Sequence, residues 1–266
     1  MKKSLINKII LITGASSGIG EATAKEFAKA GAEVLLVARN ESRLQNVVDE
    51  ILISGGKARF FAADISDFKA VEKLAESVKK EVGVPDIIVN NAGQGIWKFM
   101  DETSYEEVSQ MMAVPYFASF YVTKAFLPEM LRRNSGHIVN MTSYAGFIAF
   151  SGATAYIAAR TAMLGFHNAL TADLYGTNIN TSLAYFAKVT SDYWQNNPGS
   201  EERLPTSQSL IPVITPEKAA KAIVKGVQRN RRRIASPFMI FVMNGLIHYF
   251  PSITRLIMNK TGYRRK

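Results

Sequence analysis

The chain contains no cysteine. That excludes a disulfide framework, a thiolate-held zinc or iron–sulfur centre, and a thiol nucleophile. Histidine is scarce: His137, His167 and His248 stand far apart and without metal-ligand spacing, so they read as structural or surface residues and no metal is expected. No apolar run reaches the ~20 residues that span a bilayer. The start, Met1-Lys2-Lys3 followed by Ile9–Ile12, imitates a signal peptide in outline only; the run is short, Gly14 follows at once, and a buried strand is expected instead. Acidic residues are missing after position 228. From Arg229 onward nine basic residues stand unopposed, whereas the first 228 residues carry 23 basic and 22 acidic groups. The net charge of +10 therefore belongs to a tail, and nucleic acid is not an expected partner.

What is present is a globular composition, 266 residues with 47% apolar, enough for one large domain. Apolar runs and helical periodicity alternate. Strands are expected at Lys8–Thr13, Glu33–Ala38, Ala58–Ala63, Asp86–Asn90, Gly136–Thr142 and Asn178–Tyr185. Helices are expected at Ile19–Ala30, Asn40–Ser54, Asp67–Val82, Ser104–Arg133, Ala153–Leu174 and Pro216–Gln228. Strands rich in Ile, Val and Leu on both faces indicate a mainly parallel sheet covered on both sides. The expectation is a single doubly wound α/β domain of Rossmann type over residues 1–235, with a lid-like loop at 191–212 and a basic hydrophobic tail at 236–266.

Between the first strand and first helix lies Thr13-Gly14-Ala15-Ser16-Ser17-Gly18-Ile19-Gly20. Gly14 permits a tight turn, Gly18 lets backbone N–H groups approach a pyrophosphate, and Gly20 lets the helix pack closely on the sheet. The second strand ends in Ala38-Arg39. NAD-selective sites place a carboxylate there for the ribose 2′-hydroxyl; a guanidinium suits a 2′-phosphate, so NADP(H) is favoured over NAD(H).

With these motifs the sequence resembles the short-chain dehydrogenase/reductase family. The matches are the turn Thr13–Gly20, Asp64 after the third strand, Asn90-Asn91-Ala92-Gly93 after the fourth, Ser143 after the fifth, and Tyr156 thirteen residues later. The resemblance covers about residues 5 to 230. It implies an oxidoreductase in which a nicotinamide exchanges hydride with a carbonyl or alcohol. It makes Tyr156 the general acid, Ser143 the polarising donor and Arg160 the cation beside them. It assigns cofactor contacts to Gly14, Ser16, Ser17, Gly18, Ile19, Gly20, Arg39, Asp64, Ile65, Asn90, Ala92, Gly93, Tyr156, Arg160, Val189 and Thr190, with Asn91 steadying the sheet. It also implies a homo-oligomer, dimer or tetramer, formed through Ser104–Arg133 and Ala153–Leu174.

Three segments depart from the family. Tyr-x-x-x-Lys becomes Tyr156-Ile157-Ala158-Ala159-Arg160, where residues four apart share a helix face. Arginine can hold a fixed charge near the phenol and donate to ribose, but it does not release a proton. Pro115 stands where the family has a water-holding asparagine, and Phe186-Ala187 replaces its Pro-Gly. The phosphate turn is untouched by these changes, so cofactor binding is less exposed to them than turnover. A working reductase, a specialised oxidoreductase and an NADP(H)-binding pseudoenzyme all remain open.

Pro237–Met258 is apolar but interrupted, with basic clusters on either side. It suits an element lying in an anionic membrane interface, a cover for the cleft, or an oligomer contact. A cytoplasmic location, at a membrane surface if the tail binds lipid, is expected. Ile96, Trp97, Phe99 and Met100, with Tyr193 and Trp194 of the lid, then suggest an apolar pocket for a hydrophobic carbonyl or alcohol substrate.

Overall fold

Strands and helices alternate from Ile9 to Ser236 because each apolar run is followed by an amphipathic one. The computed structural model describes residues 2–191 and 193–265. In chain order the elements are β1 (Ile9–Thr13), α1 (Gly18–Lys29), β2 (Glu33–Ala38), α2 (Glu41–Ile53), β3 (Lys57–Ala62), α3 (Phe68–Glu81) and β4 (Ile87–Asn90). There follow α4 (Tyr105–Met112), α5 (Ala118–Arg132), β5 (Gly136–Met141), α6 (Thr154–Asp173) and β6 (Ile179–Phe186). The chain closes with α7 (Tyr193–Asn196), α8 (Pro216–Gln228), β7 (Arg233–Ser236), α9 (Phe238–Tyr249) and α10 (Pro251–Thr261).

The strands form one parallel sheet in the order β3-β2-β1-β4-β5-β6-β7. Alternate residues of each strand feed opposite cores. Ile10, Ile12, Val34 and Leu36 meet Phe27 of α1, Leu44 of α2 and Ile223 of α8. Leu11, Leu35 and Ile88 meet Leu74 of α3, Phe126 of α5 and Leu170 of α6. This two-sided burial is why the central strands β1 and β4 lack a polar face, whereas the edge strand β3 keeps Lys57 and Arg59 exposed. Strand order reverses between β1 and β4, and the crevice beyond their C-terminal ends is where a doubly wound sheet accepts a ligand.

Two features differ from the sequence-based expectation. The helix expected over Ser104–Arg133 is broken into α4 and α5, with Val114 at φ −132° and ψ 107°. Pro115 removes a backbone donor and its ring disfavours the helical conformation for the residue before it. A seventh strand, β7, pairs with β6 from Leu183↔Arg233 to Phe186↔Ser236. Only four residues long, two of them charged or polar, it carries too little periodicity to stand out. Beyond it the tail folds into α9 and α10, whose Ile240 and Met258 pack with Tyr144, Ile148 and Tyr185. Among the described residues no helix is long and apolar enough to cross a membrane.

Candidate active site

A cavity of about 950 Å³ opens over the C-terminal ends of the central strands. Its floor is the glycine turn. Gly14 has φ +65°, and a Cβ there would lie 2.8 Å from Ala92 Cα. At Gly20 a Cβ would lie 2.1 Å from the Gly14 carbonyl oxygen, so α1 can seat on the turn only with glycine. Asn91 fixes the same turn, its Nδ2 donating to the carbonyls of Thr13 (2.9 Å) and Gly14 (3.2 Å). The Thr13 hydroxyl in turn accepts the N–H groups of Asn91 and Ala92, each at 3.0 Å. Gly18 opens α1 without a capping side chain, and Ser16, Ser17, Gly18 and Ile19 border the cavity. First-turn N–H groups have no intrahelical acceptor and form a ready anion site.

Arg39 and Asp64 border the far end, joined by Ile65. Hydrogen bonds from Ser66 hold the Asp64 carboxyl below its usual range against partial burial, and the charge of Arg39 acts in the same direction.

At the other end Tyr156 and Arg160 come from one face of α6. Both are buried, the Arg160 guanidinium lying 5.1 Å from the Tyr156 ring centroid. A Cβ on Gly93 would lie 2.6 Å from an Arg160 terminal nitrogen, so the absence of a side chain there makes room for the guanidinium. Arg160 Nε is buried without a hydrogen-bond partner. Ser143 lies at the end of β5, its hydroxyl oxygen accepting the Ala145 N–H at 3.2 Å and leaving its own proton to donate. Trp97 packs on Tyr156 with ring centroids 5.0 Å apart.

The segment that begins with α7 docks on this wall. Asn197 accepts the Gly95 N–H (3.0 Å), Ser200 accepts the Trp97 N–H (3.1 Å), and the Tyr193 hydroxyl accepts the Trp97 indole N–H (3.2 Å). Burial, with Tyr156 beside it, pushes the Tyr193 phenol well above its ordinary range, while Arg160 pulls the other way. Farther out the cavity is lined by Ile148, Ile211, Met243 of α9 and Met258 of α10, so the tail covers part of the cleft.

Of the expected site residues, Asn90 and Thr190 do not line the cavity. Asn90 ties β4 to α5 and β5, donating to Thr123 (3.0 Å) and Asn140 (2.9 Å). Thr190 bonds back to Ile214, beside Val189, which does line the cavity. Ile96 and Trp97 reach the pocket, but Phe99 lies against Arg203, Arg265 and Tyr263, and Met100 is exposed. Tyr144, Asn197, Ser200, Met243 and Met258 were not anticipated. Tyr144 was accessible to inference as the neighbour of Ser143; the others arrive by long-range packing that leaves no local signal. His137 and His167 are buried, as expected of structural residues, while His248 is exposed. Among the described residues no cluster suits a metal.

The short chain dehydrogenase family model matches residues 8–201. The chain belongs to that family. Similar members include 17-beta-hydroxysteroid dehydrogenase 13 of Rattus norvegicus, 32% identical over 97% of this chain and 84% of the rat protein. A fatty acyl-CoA reductase of Acinetobacter baylyi is 32% identical over 88% of this chain and 78% of its own. Among solved structures, a short chain dehydrogenase/reductase from Burkholderia phymatum in complex with NAD superposes with TM-score 0.84, at 24% identity over 99% of both chains. A metagenomic short-chain oxidoreductase in complex with NADP gives TM-score 0.74, at 28% identity over 88% of this chain and 98% of that one.

Proposed function

We propose that this short chain dehydrogenase is an NADP(H)-dependent oxidoreductase interconverting a carbonyl and an alcohol on a hydrophobic substrate. The observation that carries the reading is one cavity holding the glycine turn at one end and Ser143, Tyr156 and Arg160 at the other. The residues fit a phosphorylated dinucleotide. The α1 N-terminus and its glycines form the pyrophosphate cradle, Arg39 is the grip for a 2′-phosphate, and the unpartnered Arg160 Nε lies near the place for ribose hydroxyls. Ala92, Gly93 and Val189 complete the wall. A bound nicotinamide supplies or accepts the hydride. For carbonyl reduction Tyr156 donates its phenolic proton to the substrate oxygen while the Ser143 hydroxyl donates a second hydrogen bond. Arg160 sets a fixed charge beside the phenol but holds its own protons. The Tyr156 oxygen is therefore recharged from water at the cavity mouth. Trp97 and Tyr193 shield the ring from bulk solvent.

The hydrophobic substrate is supported by the apolar far wall and by relatives named for hydroxysteroids and fatty acyl-CoA. We place the enzyme at a membrane surface. Phe238, Phe241, Leu246, Tyr249, Ile253 and Leu256 are exposed on α9 and α10, between the Arg229–Arg233 run and Arg255, Lys260 and Arg264. Exposed Tyr105, Phe117 and Phe120 on and beside α4 and α5 support assembly into a homo-oligomer.

The test is NADPH oxidation with a panel of hydrophobic and small polar carbonyls. Wild type turns over hydrophobic members, and Tyr156→Phe loses about 10²–10⁴ in rate. Turnover of small polar ketones alone removes the substrate assignment. The second reading, a cofactor-binding pseudoenzyme, is favoured by Arg160 and Pro115. It is upheld if wild type binds NADPH without turnover and Arg160→Lys combined with Pro115→Asn creates activity from nothing.

A further inference from the structure

We propose that the cavity carries a distal subsite for an uncharged oxygen of the substrate, supplied by the hydroxyls of Tyr144 and Tyr185. The proposal rests on reading this cavity as the site of a hydrophobic carbonyl, and adds a second recognition point remote from the reacting carbon.

Tyr144 follows Ser143 directly and borders the cavity, yet only 8% of it is exposed. Its hydroxyl is buried without a hydrogen-bond partner. Tyr185 on β6 is fully buried, and its hydroxyl is equally unpartnered; Asn244 of α9 faces it without completing a hydrogen bond. Apart from Asn244, the buried side chains packed around the pair are Ile148, Leu183, Ile211, Ile240 and Met258, and no hydrogen bond forms from any of them to either hydroxyl. A buried hydroxyl without a partner is a standing cost that phenylalanine in the same place would not carry. Two in one cluster, one of them on the cavity wall, is the pattern of a site waiting for an acceptor.

The surroundings define that acceptor. Burial, with Tyr185 adding to it, pushes the Tyr144 phenol up to about 12. Burial raises Tyr185 as well, so both are neutral donors across the physiological range. A carboxylate or phosphate would lose its water to apolar walls, and Arg233, whose charge reaches Tyr185, is itself exposed to solvent. A hydroxyl or carbonyl oxygen needs only the donors present. Met243 and Met258 line the same cavity as Tyr144, and their unbranched side chains can repack around a guest. The substrate therefore has an apolar body, a reacting carbonyl toward Tyr156 and Ser143, and a neutral oxygen at its far end.

The experiment titrates the full-length protein, saturated with oxidised NADP, with two rigid apolar ketones of one skeleton, one bearing a far-end hydroxyl. Binding is read by quenching of Trp97 and Trp194, which both line the cavity. The hydroxylated ketone is expected to bind about tenfold tighter to wild type, the worth of one good neutral hydrogen bond. Tyr144→Phe brings the ratio toward one while its Tm equals or exceeds that of wild type. Tyr185→Phe acts in the same direction. Equal binding of the two ketones by wild type, or binding of neither, overturns the proposal. So does a Tm several degrees lower for Tyr144→Phe, the mark of a hydroxyl that serves the fold through a buried water. Should the ketones be discriminated but never oxidise NADPH, the subsite stands and the reductase reading falls.

Discussion

Replacing Gly95 by alanine tests whether Tyr156 is held by the loop in front of it. The new Cβ would lie 2.4 Å from Tyr156 Cδ2, 2.7 Å from Cε2 and 2.4 Å from the Tyr193 hydroxyl. Ordinary contact requires about 1 Å more at each. The ring cannot recoil freely: Trp97 lies 5.0 Å away, centroid to centroid, and the Arg160 guanidinium 5.1 Å from its centre. Overpacking of this kind costs about 1–3 kcal/mol, which at this chain length lowers Tm by roughly 2–12 °C. A shift of about 1 Å in the proton donor costs on the order of 100-fold in turnover. The assay is NADPH oxidation with a hydrophobic carbonyl, beside a thermal melt. Gly245→Ala is the control; it sits inside α9 with no atom within 4 Å of the added Cβ, so stability holds or rises and turnover is unchanged. Wild-type kcat and Tm in Gly95→Ala would refute the reasoning.

Arg39→Ala weakens NADPH binding by about 10–100-fold, the worth of a charge-assisted hydrogen bond, and leaves NADH affinity alone; an equal loss for both cofactors removes Arg39 from the 2′-phosphate. Phe241→Glu with Leu256→Glu releases the protein from anionic vesicles in a flotation assay; if retention persists, or neutral vesicles bind equally, lipid contact through these helices is wrong. Burial depresses His137 to about 3 and His167 to about 4, so both stay neutral in the fold while the unfolded chain takes up protons below about 6.5. Stability is therefore full above that value and is lost as pH falls. Between pH 7 and pH 5 the loss is about 4 kcal/mol for the pair, measurable by denaturant melts, and a flat profile contradicts it.

The alternation of strands and helices was legible because burial on both faces forces continuous apolar strands, and because glycines mark the turns. The phosphate turn was equally legible: Gly14 and Gly20 are demanded by contacts a Cβ would break, and Gly18 is favoured by its positive φ of 56°. Asn90 and Asn91 show the limit. As adjacent identical residues they differ only in which way the strand end points them, Asn91 toward the turn and Asn90 into the sheet. Val114–Pro115 was visible as a proline, but whether it bends or breaks a helix depends on the packing of α6 behind it. The contributions of Asn197, Ser200, Met243 and Met258 depend on where distant segments land, and their residue types alone carry no such address.

The fit of Arg160 into the space above Gly93 ties two distant stretches of chain into one steric unit. A side chain at 93 displaces the guanidinium from that space, and because Arg160 is buried the displaced end needs a new seat within the fold. The converse exchange is permissive: a shorter cation at 160 would vacate volume rather than demand it. Lysine at 160 is thus accommodated without a clash, whereas a larger residue at 93 is accommodated only if the guanidinium moves away first.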